Sequence, residues 1–142
     1  MRNNASIVME NPVLDRNALT PAFKALSDPT RLRMLRLLAV NRSPMCVCEF
    51  VDTLQERQYN VSKHLKILEQ AGLIEGEKEG RFLYYGLVDG GDATARLLYR
   101  LVAGVPDSDE VFSDDQSRFE ERMELREDGR CRLGIQTEGL AE

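Results

Sequence analysis

The sequence predicts a mainly α-helical domain carrying one β-hairpin. Three observations predict it. Segments of helical period follow one another from residue 18 to residue 71, parted only by short punctuated breaks. Two of these segments are short and are joined by a tight turn, the pattern of a helix-turn-helix. Directly after them the helical period is lost. LIEGEKEGRFLYYGLV, residues 73–88, reads as strand, turn and strand.

The elements follow in order. Residues 1–17 carry no strong pattern and are expected to be a flexible N-terminal segment. ALTPAFKAL, residues 18–26, suits a first helix. SDPT then ends it, with Ser27 or Asp28 as the next cap and Pro29 in the next first turn. TRLRMLRLLAV, residues 30–40, places Leu32, Leu35, Leu38 and Ala39 on one stripe, with Arg33 and Arg36 facing elsewhere. NRSP is a break, and a short helix is predicted over 47–55. ERQY supplies the turn, a second short helix starts at Tyr59 or Asn60, and Gly72 stops it. In the hairpin, EKEG is the expected turn. DATARLLYRLVA, residues 92–103, is a further amphipathic helix. Residues 107–128 are acidic, with helical promise in SRFEERMELRE, and 129–142 read as loop or weak strand.

Helix, helix, helix-turn-helix, hairpin, helix is the order of a winged helix-turn-helix domain, here residues 18–104, with 105–142 as an acidic tail. One such domain reads one half-site, so a homodimer on an imperfect palindrome of double-stranded DNA is expected. The first and last helices of the domain carry spare apolar stripes and are the expected dimer surfaces. Net charge is −5, which at first opposes DNA binding. The charge is unevenly placed, however. Residues 1–104 hold 14 Lys+Arg against 12 Asp+Glu, and residues 105–142 hold 5 against 12. The acidity therefore belongs to the tail.

Polar positions near the start of the second short helix are the expected base and phosphate contacts: Gln58, Tyr59, Asn60, Ser62, Lys63, His64 and Lys66. Lys78 and Arg81 of the wing are expected on the DNA backbone or in the minor groove. Arg31 and Arg33 are weaker phosphate candidates. The chain lacks a His–Asp–Ser set, an HExxH and a GxxxxGK[ST] loop, so it is not expected to be an enzyme. It has no apolar run of about eighteen residues and no secretory signal pattern, so a cytoplasmic protein without a membrane partner is expected.

There are three cysteines: Cys46, Cys48 and Cys131. Residues two apart in a regular helix do not face each other, so Cys46 and Cys48 can hold one atom only at a helix edge. Cys131 sits between Arg130 and Arg132, which should favour its thiolate. It reads as a third ligand, as core filler or as a free surface thiol. The only histidine, His64, lies in the DNA-reading helix, so three thiols favour a trigonal thiophilic ion over tetrahedral zinc.

ALSDPTRLRMLRLL (25–38), MCVCEF (45–50), NVSKHLKILEQAGLIE (60–75) and EGRFLYYGL (79–87) together resemble the ArsR/SmtB family of metal-responsive repressors. The resemblance implies a homodimer that represses from its operator when ligand-free and is released by ligand. MCVCEF looks like the family's arsenic-sensing box, implying arsenite, As(III), as inducer, with Sb(III) as its chemical analogue and no permanent cofactor. In the arsenic branch a third cysteine can follow closely. Here Val51 stands at that position, which leaves Cys131 as the remaining thiol. The alternatives on the same fold are a sensor of Cd or Pb, of organoarsenicals, or of thiol-reactive electrophiles and oxidants.

Overall fold

The computed structural model describes residues 14–90 and 92–141. Most of the expected N-terminal segment lies outside these residues. Helix α1 (Arg16–Leu26) begins within its last part, capped by the Asp15 carboxylate, which accepts from Asn17 N–H. Asp28 caps α2 (Pro29–Asn41) by accepting from the N–H groups of Thr30 and Arg31, with Pro29 in the first turn.

A two-residue strand, β1 (Met45–Cys46), precedes α3 (Val47–Leu54), and α4 (Gln58–Gln70) completes the helix-turn-helix. Only Gln55–Arg57 separate the two helices, because Gln55 takes a left-handed conformation (φ 59°) that ends α3 abruptly. The recognition helix therefore starts one residue earlier than the sequence suggests. Strands β2 (Ile74–Glu79) and β3 (Phe82–Leu87) form the wing, in register from Ile74 opposite Leu87 to Glu79 opposite Phe82. The turn is Gly80–Arg81, not EKEG. Gly80 has φ +63° at the first turn position, a left-handed geometry that suits glycine and matches the twist of a hairpin. The sequence reading lacked β1, which pairs Met45 with Tyr85 and Cys46 with Tyr84. Two residues carry too little pattern to be seen as a strand.

Helices α5 (Ala93–Ala103) and α6 (Glu110–Met123) follow. The core runs through α2, α3 and α4, where Met34, Leu35, Phe50, Val51, Val61 and Leu65 are fully buried. Each such side chain contributes roughly 1.5–3 kcal/mol of burial. Tyr99 ties α5 to the base of the wing: its hydroxyl donates to Leu73 O and accepts from Val88 N–H.

The acidic tail region is folded onto the domain. Helix α6 packs along α3 and α2. This changes the reading of α2, whose arginines do not face away from the core. Arg33 makes a two-pronged bond to Asp115, with 2.9 and 2.8 Å contacts, and a third bond to Leu54 O. Arg36 is buried, bonds Val105 O and Asp107, and lies over the Phe112 ring. Among the described residues, no helix is long and apolar enough to cross a membrane.

Candidate thiol centre and nucleic-acid interface

Cys46 is the N-cap of α3, with extended backbone (φ −86°, ψ 167°), while Cys48 lies in the first turn. The change from strand to helix between them lets both side chains turn inward, which a regular helix would prevent. Their sulfurs are 2.8 Å apart. Cys131, 83 residues beyond Cys48, joins them: its Sγ is 3.2 Å from that of Cys46 and 3.5 Å from that of Cys48. All three thiols are free and buried. The separations exceed a disulfide bond of about 2.05 Å.

A chain of buried ion pairs brings Cys131 there. Glu49 is fully buried, accepts from Cys46 N–H, and receives two bonds from Arg126 at 2.7 and 2.8 Å. Arg126 also donates to Pro44 O and lies over the Tyr84 ring, and the Tyr84 hydroxyl accepts from Cys131 N–H. One helical turn along, Asp52 pairs with Arg122 at 2.7 Å. Asp128 and Gly129, both left-handed, turn the chain back between Glu127 and Arg130. The Asp-Gly dipeptide is the sequence signal that marks this turn. Glu49 and Asp52 lie on one face of α3, and Arg122 and Arg126 are spaced to meet them. That complementarity appears only once the helices are placed side by side.

The electrostatics differ from the sequence expectation at Cys131. Burial pushes its thiol up to about 11. Its flanking arginines point to the surface, where Arg130 pairs with Glu79 and Arg132 lies near Glu127. The thiolate is instead Cys48, lowered to about 7 chiefly by the hydrogen bond from Cys46, with help from Cys131 and the nearby Arg122 charge. Cys46, as donor to that thiolate and deeply buried, is held well above its ordinary value. Of the three sulfurs, Cys48 therefore ionises first.

The donor set contains three sulfurs and no imidazole. Sulfurs bonded at about 2.3 Å to one centre lie about 3.3 Å apart at near-right angles and about 3.8 Å apart in a tetrahedron. Separations of 2.8, 3.2 and 3.5 Å are all shorter than the tetrahedral spacing.

Along α4, Gln58, Tyr59, Ser62, Lys63 and Lys66 are exposed, and Asn60 is half-buried. Lys78, on β2 opposite Leu83, and Arg81, in the wing turn, are exposed as well. His64 departs from the expectation of a free base reader. Its Nδ1 accepts from Arg31 at 3.0 Å, and its Nε2 is 3.9 Å from the Asp28 carboxylate. Burial lowers its pKa. Arg31 is held in turn by Ala25 O, and Arg33 by Asp115, so neither is a spare cation for phosphate.

The family model described as bacterial regulatory protein, arsR family, matches residues 28–76. An uncharacterized HTH-type transcriptional regulator of Methanocaldococcus jannaschii is 51% identical over 67 residues, 47% of this chain and 74% of the relative. An arsenic resistance transcriptional regulator of Pseudomonas putida is 40% identical over 51% of this chain and 57% of its own length. A cadmium resistance transcriptional regulatory protein homolog of Staphylococcus aureus is 31% identical over 62% and 69%. The fold matches the homodimeric winged helix-turn-helix domain of a possible ArsR-family regulator from Mycobacterium bovis, with a TM-score of 0.54, 24% identity, and coverage of 78% of this chain and 90% of that one. With its winged helix-turn-helix and the match across both of that motif's helices, the chain belongs to the arsR family of bacterial regulatory proteins, which are DNA-binding transcriptional regulators.

Proposed function

We propose that this chain is an arsenite-responsive repressor of a resistance operon. It holds operator DNA when ligand-free and leaves it when Cys46, Cys48 and Cys131 take arsenite. The observation that carries this reading is the convergence of three buried sulfurs within 4.8 Å of one another, without a histidine. Each sulfur replaces one hydroxyl of arsenite. Three As–S bonds form and three As–O bonds break. The hydroxyls leave as water, and the oxidation state of arsenic is unchanged. Sb(III) follows the same chemistry.

The centre lies at the N-cap of α3, and Cys46 is also paired with Tyr84 of the wing. Ligand binding there acts on both elements that frame the recognition helix. Gln58, Tyr59, Asn60, Ser62, Lys63 and Lys66 are the proposed operator contacts, with Lys78 and Arg81 on the backbone. His64 serves to position α4 against the cap of α2. Phe23 of α1 and Leu97 and Leu101 of α5 are exposed, and the two helices pack side by side, which supports a homodimer through that face on a palindromic operator. A cytoplasmic location fits this role.

The test is fluorescence anisotropy of the reduced protein on its promoter DNA, at fixed salt, titrated with arsenite. Release by micromolar arsenite is expected. An intact complex would remove arsenite as inducer.

The second reading is a cadmium or lead sensor on the same thiolates, favoured by the cadmium-resistance relative. Proton balance separates the two. Above pH 7 Cys48 is a thiolate and the other two sulfurs are thiols. Two thiol protons leave with two hydroxyls of arsenite, so the third hydroxyl draws about one proton from solvent. Arsenite affinity is therefore expected to fall as pH rises above about 7. A divalent ion displaces about two protons instead, and its affinity rises with pH. Calorimetry in buffers of different ionisation enthalpy reads the sign directly.

A further inference from the structure

We propose that residues 132–140 form a strap that carries the state of the thiol centre to the N-terminus of the recognition helix and competes there with operator DNA; this rests on the arsenite-sensor reading above. The strap starts at Cys131 itself. Leu133 O lies 3.4 Å from Cys131 Sγ and 3.6 Å from Cys48 Sγ, and it accepts from Arg122 at 2.8 Å. Gly134 O accepts from the same guanidinium. Further along, the Asp52 carboxylate accepts from the N–H groups of Gln136 and Thr137 and from the Thr137 hydroxyl, at 2.8–3.0 Å. Gln55, in the turn between α3 and α4, donates to the same hydroxyl at 3.0 Å. Ile135 and Leu140 pack against the core.

The strap ends on α4. Leu140 O accepts from Gln58 N–H at 2.8 Å, and Gln58 is the first residue of that helix. The first N–H groups of a helix have no partner within it and are natural donors to a phosphate. A carbonyl of this chain uses the Gln58 donor, so a DNA phosphate and the strap are mutually exclusive there. Strap residues Gly134 and Ile135 also line one cavity with Cys46, Cys48, Gln58 and Arg81, joining the thiols to a proposed reading residue and a wing residue. The strap offers the DNA no new attraction, since Arg132 is its one cation and Glu138 its exposed acid.

The coupling follows from chain connectivity. When arsenic holds Cys131 to Cys46 and Cys48, the first end of the strap is fixed, and redocking Leu140 on Gln58 costs less chain entropy. The ligand then favours the docked strap over DNA. Without ligand the docked strap leaves more easily, and a DNA phosphate can displace it from the helix N-terminus.

The experiment compares the full chain, a chain ending at Gly134, and Thr137→Val, which removes one hydroxyl and leaves the backbone unchanged. Operator affinity with and without arsenite is read by anisotropy at fixed salt, and arsenite occupancy by protection of the three thiols from alkylation. The shortened chain is expected to bind the ligand-free operator about tenfold more tightly. It should still protect its thiols with arsenite and keep its DNA. Thr137→Val should shift affinity the same way, by about threefold. If the shortened chain fails to fold, Thr137→Val and amide exchange at Gln58 in the full chain decide, with more protection expected in arsenite. Operator affinity and release unchanged in both variants, or Gln58 exchange indifferent to arsenite, would overturn the strap. Thiols left unprotected in the full chain would instead overturn the sensor reading, and operator affinity alone then tests the strap.

Discussion

Cys46→Ser is expected to abolish arsenite-induced release of the operator while leaving the folded protein as stable as before, or slightly more so. Cys46 occupies the N-cap of α3 in extended conformation, with its sulfur 2.8 Å from that of Cys48. Serine is among the preferred N-caps, contributing on the order of 1 kcal/mol over a residue that cannot accept the first-turn N–H. The Glu49 carboxylate continues to accept from the backbone N–H of residue 46, a bond the substitution does not touch. The hydroxyl cannot replace the sulfur in an As–S bond, and two of three bonds remain. Losing a partner outside the coordination shell typically costs about 10–100-fold in affinity, so losing a ligand should cost about 100-fold or more. The paired readouts are the arsenite concentration for half-release and the thermal midpoint. A fall in midpoint together with a lost response would mean that the serine acts by unfolding. An unchanged response would remove Cys46 from the centre. Cys48→Ser and Cys131→Ser are expected to lose the response likewise with operator affinity retained, because neither side chain lies on the exposed face of α4.

Glu49→Ala is expected to destabilise the folded chain strongly. The carboxylate is fully buried and takes two bonds from Arg126 and one from Cys46 N–H. Removing one partner of a buried ion pair typically costs 3–5 kcal/mol, because the other charge stays buried without its counterion. Arg126 keeps its bond to Pro44 O and its side chain is 13% exposed, so the lower end, about 3 kcal/mol, applies here. Glu49→Gln keeps an acceptor for Cys46 N–H and should cost less, about 1–2 kcal/mol. Urea unfolding of the three proteins measures the order. Equal stability of wild type and Glu49→Ala would show that the Glu49–Arg126 pair carries no weight. The Asp52–Arg122 pair makes the packing of α6 on α3 dependent on pH. Burial raises the Asp52 pKa, but the bonds from Gln136, Thr137 and Arg122 outweigh it, so the folded-state value lies below the ordinary 3.8. Its contribution is full above that ordinary value and is lost as pH falls through the lowered one.

Local chemistry was legible from the sequence, because each such feature is decided by a few neighbouring residues. Asp28 with Pro29 makes an N-terminus wherever the chain goes, since a short carboxylate reaches the next N–H groups without help. The helix-turn-helix and the wing were readable for the same reason, as a change of period bounded by turn residues. Even so, the wing turn moved to Gly80–Arg81, because strand register and not composition selects which glycine-containing pair closes a hairpin. The Cys46–Cys48 pair announced itself by its spacing and by an otherwise apolar setting.

Tertiary structure decided everything that depends on residues far apart in the chain. It placed Cys131 against a pair more than eighty residues away. It also transferred the thiolate from Cys131, whose arginine neighbours turned outward, to Cys48, where Arg122 and two thiols converge. Arg33 and Arg36 looked like surface cations because their partners, Asp115 and Asp107, lie in the tail, and an acidic tail looks solvated until a basic face is set beside it. Charge pairing across distant segments leaves no periodic trace in a sequence. Only the packing of α6 on α3 made the tail part of the site.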